Sequence, residues 1–269
     1  MATTSLLITT ALLYALSCAF FLLFLVRGQP VLGQWGNRLL AASGTMHLAY
    51  VLTDWQVAGN MPFQDIHGTL SLLSMLVVVA FLAATLRYRV TVLGAFITPV
   101  TLLLLLGAGV SRGVTQVPAE VRSFLLPLHI ALNVLGLAAF ALAFGAAVAY
   151  VLQERQLRRK NLGGLFQRLP ALDVLDSFGF RLVVIGFPLL TLGIVTGTLW
   201  AVRLDPDSPA ISAVQGFALL AWLVFGGVLL LRVAAGWRGR RAAIGTIMGF
   251  LCTMAVLVGY VVRAGGGAS

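Results

Sequence analysis

Charged residues are scarce in this chain. Only 10% of its 269 residues are Asp, Glu, Lys or Arg, whereas 60% are hydrophobic. A water-soluble domain of this length keeps about a quarter of its residues charged, because its surface must be hydrated. The scarcity of charge therefore excludes an ordinary soluble enzyme or binding domain and predicts a protein embedded in a membrane.

Cysteine is also scarce. Cys18 and Cys252 both fall in apolar segments, and neither belongs to a CxxC or CxxCH sequence. This spacing excludes a dithiol redox site and covalent attachment of c-type haem through the usual motif. The sequence also lacks the GxxxxGK[ST] pattern of a phosphate-binding loop and the HExxH pattern of a zinc peptidase.

The apolar residues occur in blocks of about twenty, the length that crosses a ~30 Å hydrocarbon core as an α-helix. No block alternates with the period of a membrane-barrel strand, so helices are the remaining way to satisfy the backbone in lipid. We predict an all-α polytopic membrane protein, a single domain over residues 1–269 with a bundle of about eight transmembrane helices. The predicted spans are Leu6–Val26, Leu39–Val57, Leu70–Leu86, Val92–Val110, Phe124–Leu152, Phe178–Val202, Ala213–Val233 and Ile244–Val262.

The formal net charge of +10 is explained by where the basic residues lie. Most of the Lys and Arg residues fall in the connections after the first, third, fifth and seventh predicted spans. Because cytoplasmic loops accumulate these residues, we predict a multi-pass protein of the bacterial cytoplasmic (inner) membrane with both termini outside the cytoplasm. The basic loops would contact anionic membrane lipid, and no nucleic-acid partner is expected.

Three histidines, His47, His67 and His129, are the strongest candidates for functional residues. His47 falls within the second predicted span, His129 near the start of the fifth, and His67 in the connection before the third. With the predicted topology, all three lie in the outer half of the membrane or beyond it. An ionisable side chain within a membrane is a functional candidate by default, and imidazole suits haem iron. The residues alone also fit a structural alternative, in which each ring only hydrogen-bonds a neighbouring helix.

Polar residues lie one or two helical turns from two of these histidines. Tyr50 and Asp54 share a helical face with His47, and Asn133 follows His129 by one turn. A metal-bound imidazole normally donates its other ring N–H to a carboxylate, a carbonyl or a similar polar group. We therefore predict that these three side chains are hydrogen-bond partners of the two imidazoles.

Longer stretches of the sequence carry the pattern of a known family. GNMPFQDIHGTLSLLSMLVVVAFL and RYRVTVLGAFITPVTLLLL form one pair of spans, LLPLHIALNVLGL opens with an outer histidine, and GWRGRRA is rich in arginine. Together these stretches resemble the cytochrome c assembly proteins of the CcsA and CcmC type. His129 matches that family's outer histidine, and His47 falls where the eight-span HemX/YpjD-type branch has one. The resemblance implies a membrane protein that handles haem during cytochrome c maturation, with histidines as axial ligands.

The haem-presenting loop of that family is altered in this chain. Between Trp200 and Trp222 the sequence reads AVRLDPDSPAISAVQGFALLA, without the family's tryptophans or its WDP core. Leu230 stands where the larger synthetases have a histidine, and the terminal RAGGGAS lacks their last outer histidine. The resemblance is therefore to the HemX/YpjD-type branch, not to a complete haem–apocytochrome synthetase, and no enzymatic activity is expected.

The favoured hypothesis is a haem-binding, non-catalytic membrane protein of cytochrome c biogenesis. His47 and His129 would ligate the iron of one non-covalently bound haem b, and His67 is a further candidate whose role is open. Aromatic side chains near the outer surface would line the porphyrin, namely Trp55, Phe63, Phe124 and Trp200. The expected partners are haem, other assembly subunits or an apocytochrome, and membrane lipid. The alternatives are a small-solute transporter or channel without a cofactor, and a membrane scaffold or regulator with a vestigial haem site.

Overall fold

The computed structural model describes residues 2–59, 65–88, 90–111, 125–160, 163–204 and 213–266, and these residues form helices and no strand. The helices are α1 (Ala2–Arg27), α2 (Pro30–Ala58), α3 (Ile66–Arg87), α4 (Gly94–Val110), α5 (Leu125–Arg158), α6 (Leu165–Arg168), α7 (Leu172–Leu204), α8 (Ala213–Ala235) and α9 (Arg240–Gly266). A short 3-10 turn, Thr91–Leu93, leads into α4. Within the described ranges, 7 helices are long and apolar enough to cross a membrane, which confirms the all-α polytopic fold.

Helix α2, which carries His47, is long but less apolar than those seven, because its residues include Arg38 and Asp54. Trp35 and Trp55 lie near its two ends and are 47% and 44% exposed. At ~1.5 Å per residue they are separated by about 30 Å along the helix axis. Tryptophan is enriched at both membrane interfaces, so this spacing supports a membrane crossing by α2. The eighth span stays a prediction.

The start of α3 differs from the predicted span and changes the position of a histidine. Asp65 caps this helix, because its Oδ1 atom accepts the backbone N–H of Gly68 at 2.6 Å. An N-cap of this kind satisfies one of the free donors of the first turn, so the helix begins at Ile66 instead of Leu70. The prediction that His67 lies in the connection is therefore wrong. This residue belongs to the first turn of α3 and is 5% exposed.

The long helices pack as antiparallel neighbours in two groups, α1–α4 and α5–α9. Helix α5 packs along α7 and also against α3 and α9, so it joins the two groups. Its Gly145 lies against Ile97 of α4, and its Phe140 stacks on Phe225 of α8 with ring centroids 3.8 Å apart. The C-terminal ends of α2, α4 and α7 and the N-terminal ends of α3, α5 and α8 share one end of the bundle. We term this the histidine end, and the opposite one the basic end.

At the basic end, Arg168 of α6 contacts the end of α1. Its Nη1 atom donates to the carbonyl oxygen of Leu25 at 2.7 Å and also to that of Val26. These carbonyls belong to the last turn of α1, whose acceptors have no partner within the helix. A cation at a helix C-terminus also interacts favourably with the helix dipole. Arg168 therefore fastens the connection after α5 to the first helix.

Replacing Arg168 by alanine is expected to lower the free energy of unfolding by about 1 to 2 kcal/mol, because two carbonyls lose a charged donor. Chemical denaturation in detergent micelles measures this change. Arg159 lies exposed in the turn just after α5, and its replacement by alanine is the matched control, with an expected change below about 0.5 kcal/mol. Equal losses of stability in the two variants would show that the hydrogen bonds from Arg168 to α1 do not stabilise the fold.

Candidate functional site

His47 is the centre of a polar cluster between α1, α2 and α3. Its side chain is 0% exposed. The Nδ1 atom lies 2.8 Å from the hydroxyl oxygen of Tyr14 in α1, and the Nε2 atom lies 2.9 Å from the Oγ atom of Ser71 in α3. Both ring nitrogens are therefore engaged, and an iron at Nε2 would take the place of the Ser71 hydroxyl.

His67 lies toward the histidine end, one turn before Ser71 on α3. Its Nδ1 atom donates to the carbonyl oxygen of Ala108 in α4 at 2.6 Å, and its Nε2 atom accepts the hydroxyl of Tyr50 in α2 at 2.5 Å. The Asp54 carboxylate lies 3.8 Å from Nε2. Both nitrogens of His67 are thus held by short hydrogen bonds that tie three helices together.

His129 lies in the groove between α5 and α7. Its Nδ1 atom is 2.8 Å from the carbonyl oxygen of Gly193. Since a carbonyl only accepts hydrogen bonds, Nδ1 carries the proton of the neutral ring and Nε2 keeps a lone pair. A histidine that binds a metal through Nε2 needs this arrangement, because its other nitrogen usually donates to a carbonyl or carboxylate.

Two glycines of α7 make room for the polar side chains of α5. A Cβ atom at Gly197 would lie 2.5 Å from Cε1 of His129, and one at Gly193 would lie 2.7 Å from the Asn133 amide. The Nδ2 atom of Asn133 donates to the carbonyl oxygen of His129 at 2.7 Å and lies 3.4 Å from Nε2. The Nε2 atom of His129 is therefore the most weakly engaged of the ring nitrogens in the three histidines.

The donor chemistry at these rings fits haem iron at His129 directly. His129 has its proton placed on Nδ1 and its Nε2 atom weakly engaged. His47 fits the same role once the Ser71 hydroxyl is displaced from Nε2. His67 offers no such nitrogen in this arrangement, because both of its ring atoms make hydrogen bonds of 2.6 Å or shorter.

The structure brings His47 and His67 close together and holds His129 elsewhere. The ring of Tyr50 lies between the first two, with centroid distances of 6.0 Å to His47 and 6.1 Å to His67. The ring nitrogens of His47 bond to α1 and α3, whereas Nδ1 of His129 bonds to α7. The two rings do not share one site in this arrangement. Ligation of one iron by His47 and His129 together therefore stays a prediction.

The aromatic residues expected around the porphyrin are only partly described. Trp55 is 44% exposed on the surface of α2 near the histidine end. Trp200 lies in α7, but its side chain is outside the described part of the structure, as are Phe63 and Phe124. A porphyrin-lining role for these residues stays a prediction.

The structure also shows how far the expected partners of the histidines were identified. Asn133 contacts His129 as expected, although the Gly193 carbonyl accepts the ring proton. The prediction that Tyr50 and Asp54 are hydrogen-bond partners of His47 is wrong, because both contact His67. The ring nitrogens of His47 meet Tyr14 and Ser71 instead.

Sequence analysis missed Tyr14 and Ser71, which are the partners of His47. It also missed the two glycines of α7 that lie against the polar side chains of α5, Gly193 and Gly197. Ser71 is a polar residue one helical turn after His67, and this spacing could have identified it as part of a polar cluster. Nothing in the sequence around Tyr14 indicates its partner.

Comparison with known proteins identifies the family of this chain. The profile of the family described as "Cytochrome C assembly protein" matches residues 4–264. Proteins named "Cytochrome c biogenesis protein CcsA" are similar along most of the chain. The one from Gloeothece citriformis is 26% identical over 280 aligned positions, covering 86% of this chain and 85% of that protein. The one from Rippkaea orientalis is 25% identical over 316 positions, covering 94% and 91%. The one from Trieres chinensis is 25% identical over 273 positions, covering 89% and 87%.

The profile match extends from α1 into α9, so it includes all three histidines and both groups of helices. The similar proteins are matched over more than four fifths of their own length. The resemblance expected from the sequence is therefore confirmed at the level of the family. This chain belongs to the cytochrome c assembly protein family.

Proposed function

We propose that this protein is a non-catalytic, haem-binding membrane component of cytochrome c biogenesis. Membership of the cytochrome c assembly family supports a role in cytochrome c maturation. Haem is the group that such maturation must handle, and the donor chemistry at His129 suits its iron. The expected partners are haem, other assembly subunits or an apocytochrome, and membrane lipid.

The observation that carries the proposal is the hydrogen bond from His129 to Gly193. The Gly193 carbonyl keeps the ring proton on Nδ1, so Nε2 is the nitrogen that would hold the iron. Gly197 leaves the space that the imidazole occupies, and Asn133 donates to the backbone carbonyl of His129. When bound, a b-type haem would supply an iron centre to which His129 would give a nitrogen ligand.

His47 is the proposed second ligand of the same iron. It is a buried imidazole, and within the described residues its Nε2 atom lies 2.9 Å from the hydroxyl oxygen of Ser71. Ligation by both histidines requires that the Ser71 hydroxyl turns away and that α2 and α5 approach one another. Trp55 and Trp200 are the proposed aromatic contacts of the porphyrin.

The histidine end is proposed to face the extracytoplasmic side of a bacterial cytoplasmic membrane. The basic end carries arginines at or just beyond the C-terminal ends of α1, α3, α5 and α8, namely Arg27, Arg87, Arg158 and Arg238. Because Lys and Arg accumulate in cytoplasmic loops, this distribution supports a cytoplasmic position for the basic end and extracytoplasmic termini. The haem site then lies toward the outer surface, where a secreted cytochrome would be matured.

The absorption spectrum of the purified protein tests this function. With haem added in detergent micelles, the wild type is expected to show a Soret band that shifts on reduction. His129→Ala is expected to lower haem affinity at least about tenfold, and His47→Ala to change the spectrum by removing the second ligand. His67→Ala is the matched control and is expected to keep the wild-type spectrum.

Folded wild-type protein that stays colourless would contradict haem binding and favour a transporter or a scaffold. A wild-type spectrum in His47→Ala, with a loss in His129→Ala, would contradict ligation by two histidines.

A further inference from the structure

The connection between α8 and α9 is held in place by hydrogen bonds at both of its ends. After α8, Gly236 has a φ of 64°, and the N–H of Trp237 returns to the carbonyl oxygen of Leu231 at 3.1 Å. This pattern is typical of a glycine-capped helix C-terminus and satisfies a carbonyl of the last turn. At the other end, the N–H of Gly239 donates to the carboxylate of Asp176 in α7 at 3.1 Å. The arginines of this connection are therefore presented from a defined backbone.

Arg238 and Arg241 are exposed cations of this connection. Asp176 and Glu154, which contact this part of the fold, are each already bonded to an arginine at 2.7 Å. Residues 208–269 contain no Asp or Glu. Among the described residues, no carboxylate forms an ion pair with Arg238 or Arg241. Their two guanidinium groups are thus available to an anion from outside the chain.

Trp237 indicates the depth of these cations in the membrane. The centroid of its ring lies 5.6 Å from Cζ of Arg241. Tryptophan is enriched at membrane–water interfaces, where its ring lies among the lipid headgroups. Val233 in the last turn of α8 and Ile244 near the start of α9 are 81% and 44% exposed. The arginines therefore lie next to apolar surface, at the level where phospholipid phosphates are expected.

A cleft of about 350 Å³ lies between α5, α7, α8 and α9 beside this connection. Its wall changes from polar at the basic end to apolar deeper in the bundle, with Tyr150, Asp176 and Arg232 in the polar part and Ala143, Val183 and Val228 in the apolar part. This change takes about two helical turns, or about 10 Å along the bundle. Positive charge above an apolar cleft matches the chemistry of a phospholipid, which has an anionic phosphate above its acyl chains.

We propose that Arg238 and Arg241 bind the phosphate group of one anionic membrane phospholipid, with the first part of an acyl chain along the apolar wall of this cleft. Basic pockets between transmembrane helices at the cytoplasmic side bind anionic headgroups, and the guanidinium fork suits phosphate oxygens. Arg232 supports the site because it neutralises Asp176, whose charge would otherwise repel the phosphate. An acidic protein would match the arginines but would leave the apolar wall unused. This site is separate from the histidine end and does not depend on haem binding.

Native mass spectrometry of the full-length protein, released from detergent micelles, counts the bound lipid. Phosphatidylglycerol is expected to bind at least about tenfold more tightly than phosphatidylcholine with the same acyl chains, because the latter has no net charge. The double variant Arg238→Gln/Arg241→Gln is expected to weaken phosphatidylglycerol binding about 25-fold, since each arginine near an anionic surface contributes about fivefold.

The matched control removes the same charge from the other group of helices at the basic end. Arg27 and Arg87 are both exposed at the ends of α1 and α3. The double variant Arg27→Gln/Arg87→Gln is expected to keep an affinity close to that of the wild type. Equal losses in the two double variants would overturn the proposal, because lipid would then respond only to the total charge of this end.

A second measurement locates the lipid without changing an arginine. Phosphatidylglycerol with bromine atoms near the start of its acyl chains quenches the fluorescence of a tryptophan that it contacts. We expect saturable quenching in the wild type, loss of most of it in Trp237→Phe, and little quenching by brominated phosphatidylcholine at the same concentration. Equal binding of the two lipids to the wild type, or undiminished saturable quenching in Trp237→Phe, would overturn the proposed site.

Discussion

Replacing Arg232 by alanine is expected to lower the free energy of unfolding by about 3 to 5 kcal/mol, the usual cost of leaving one partner of a buried ion pair alone. Arg232 and Asp176 are only 11% and 13% exposed, and they form two parallel hydrogen bonds of 2.9 and 2.7 Å. The guanidinium also lies over the Phe180 ring at 4.1 Å. Without it the Asp176 carboxylate would remain buried, with the backbone N–H of Gly239 as its described donor.

Chemical denaturation in micelles measures this loss, and an exposed ion pair supplies the control. Arg158 is bonded to Glu154 at 2.7 Å, but its side chain is 68% exposed. Arg158→Ala is therefore expected to cost less than about 1 kcal/mol. The double variant Asp176→Leu/Arg232→Met removes both charges together and is expected to recover most of the stability. If Arg232→Ala were no worse than Arg158→Ala, the pair would not hold α7 to α8.

The carboxylate of this ion pair also contacts the arginine-rich segment GWRGRRA. Gly239, in the middle of that segment, has a φ of 74° and donates its N–H to Asp176 at 3.1 Å. Such a φ favours glycine over other residues. The segment between α8 and α9 is thus tied to the start of α7 through the backbone of Gly239.

Replacing Gly197 by alanine is expected to disrupt the His129 site from the opposite helix. The new Cβ atom would lie 2.5 Å from Cε1 of His129, so the imidazole must leave its place or the helices must separate. Overpacking of this kind costs about 1 to 3 kcal/mol. Because the Nδ1 hydrogen bond to Gly193 depends on the same ring position, we expect haem affinity to fall by a factor similar to that in His129→Ala.

The control for this variant is Gly227→Ala in α8, where a Cβ atom would meet no atom within 4 Å. Alanine is preferred over glycine in a helix by about 1 kcal/mol, so this control is expected to keep or raise stability and to leave the Soret band unchanged. Thermal unfolding and haem titration of both variants make the comparison. Wild-type haem affinity in Gly197→Ala would show that the position of the His129 ring is unimportant for binding.

The sequence predicted the class of this protein because membrane insertion depends on composition over long segments. Blocks of about twenty apolar residues located the long helices, and the family pattern in GWRGRRA and around His129 agreed with the profile match. Ends of helices were less predictable. The capping hydrogen bond of Asp65 extended α3 to Ile66 and brought His67 into the helix, although hydropathy alone placed it outside.

By itself, the sequence determined the fold class, the family and the candidate histidines, since these depend on residue types and on their spacing along the chain. Only the tertiary structure decided which group each imidazole nitrogen meets. Helices that are apolar on nearly all sides carry little information about their rotation and register, and hydrogen bonds between helices depend on both. His47 pairs with Tyr14 where α1, α2 and α3 meet, and His129 pairs with Gly193 between α5 and α7, so no single segment encodes either contact.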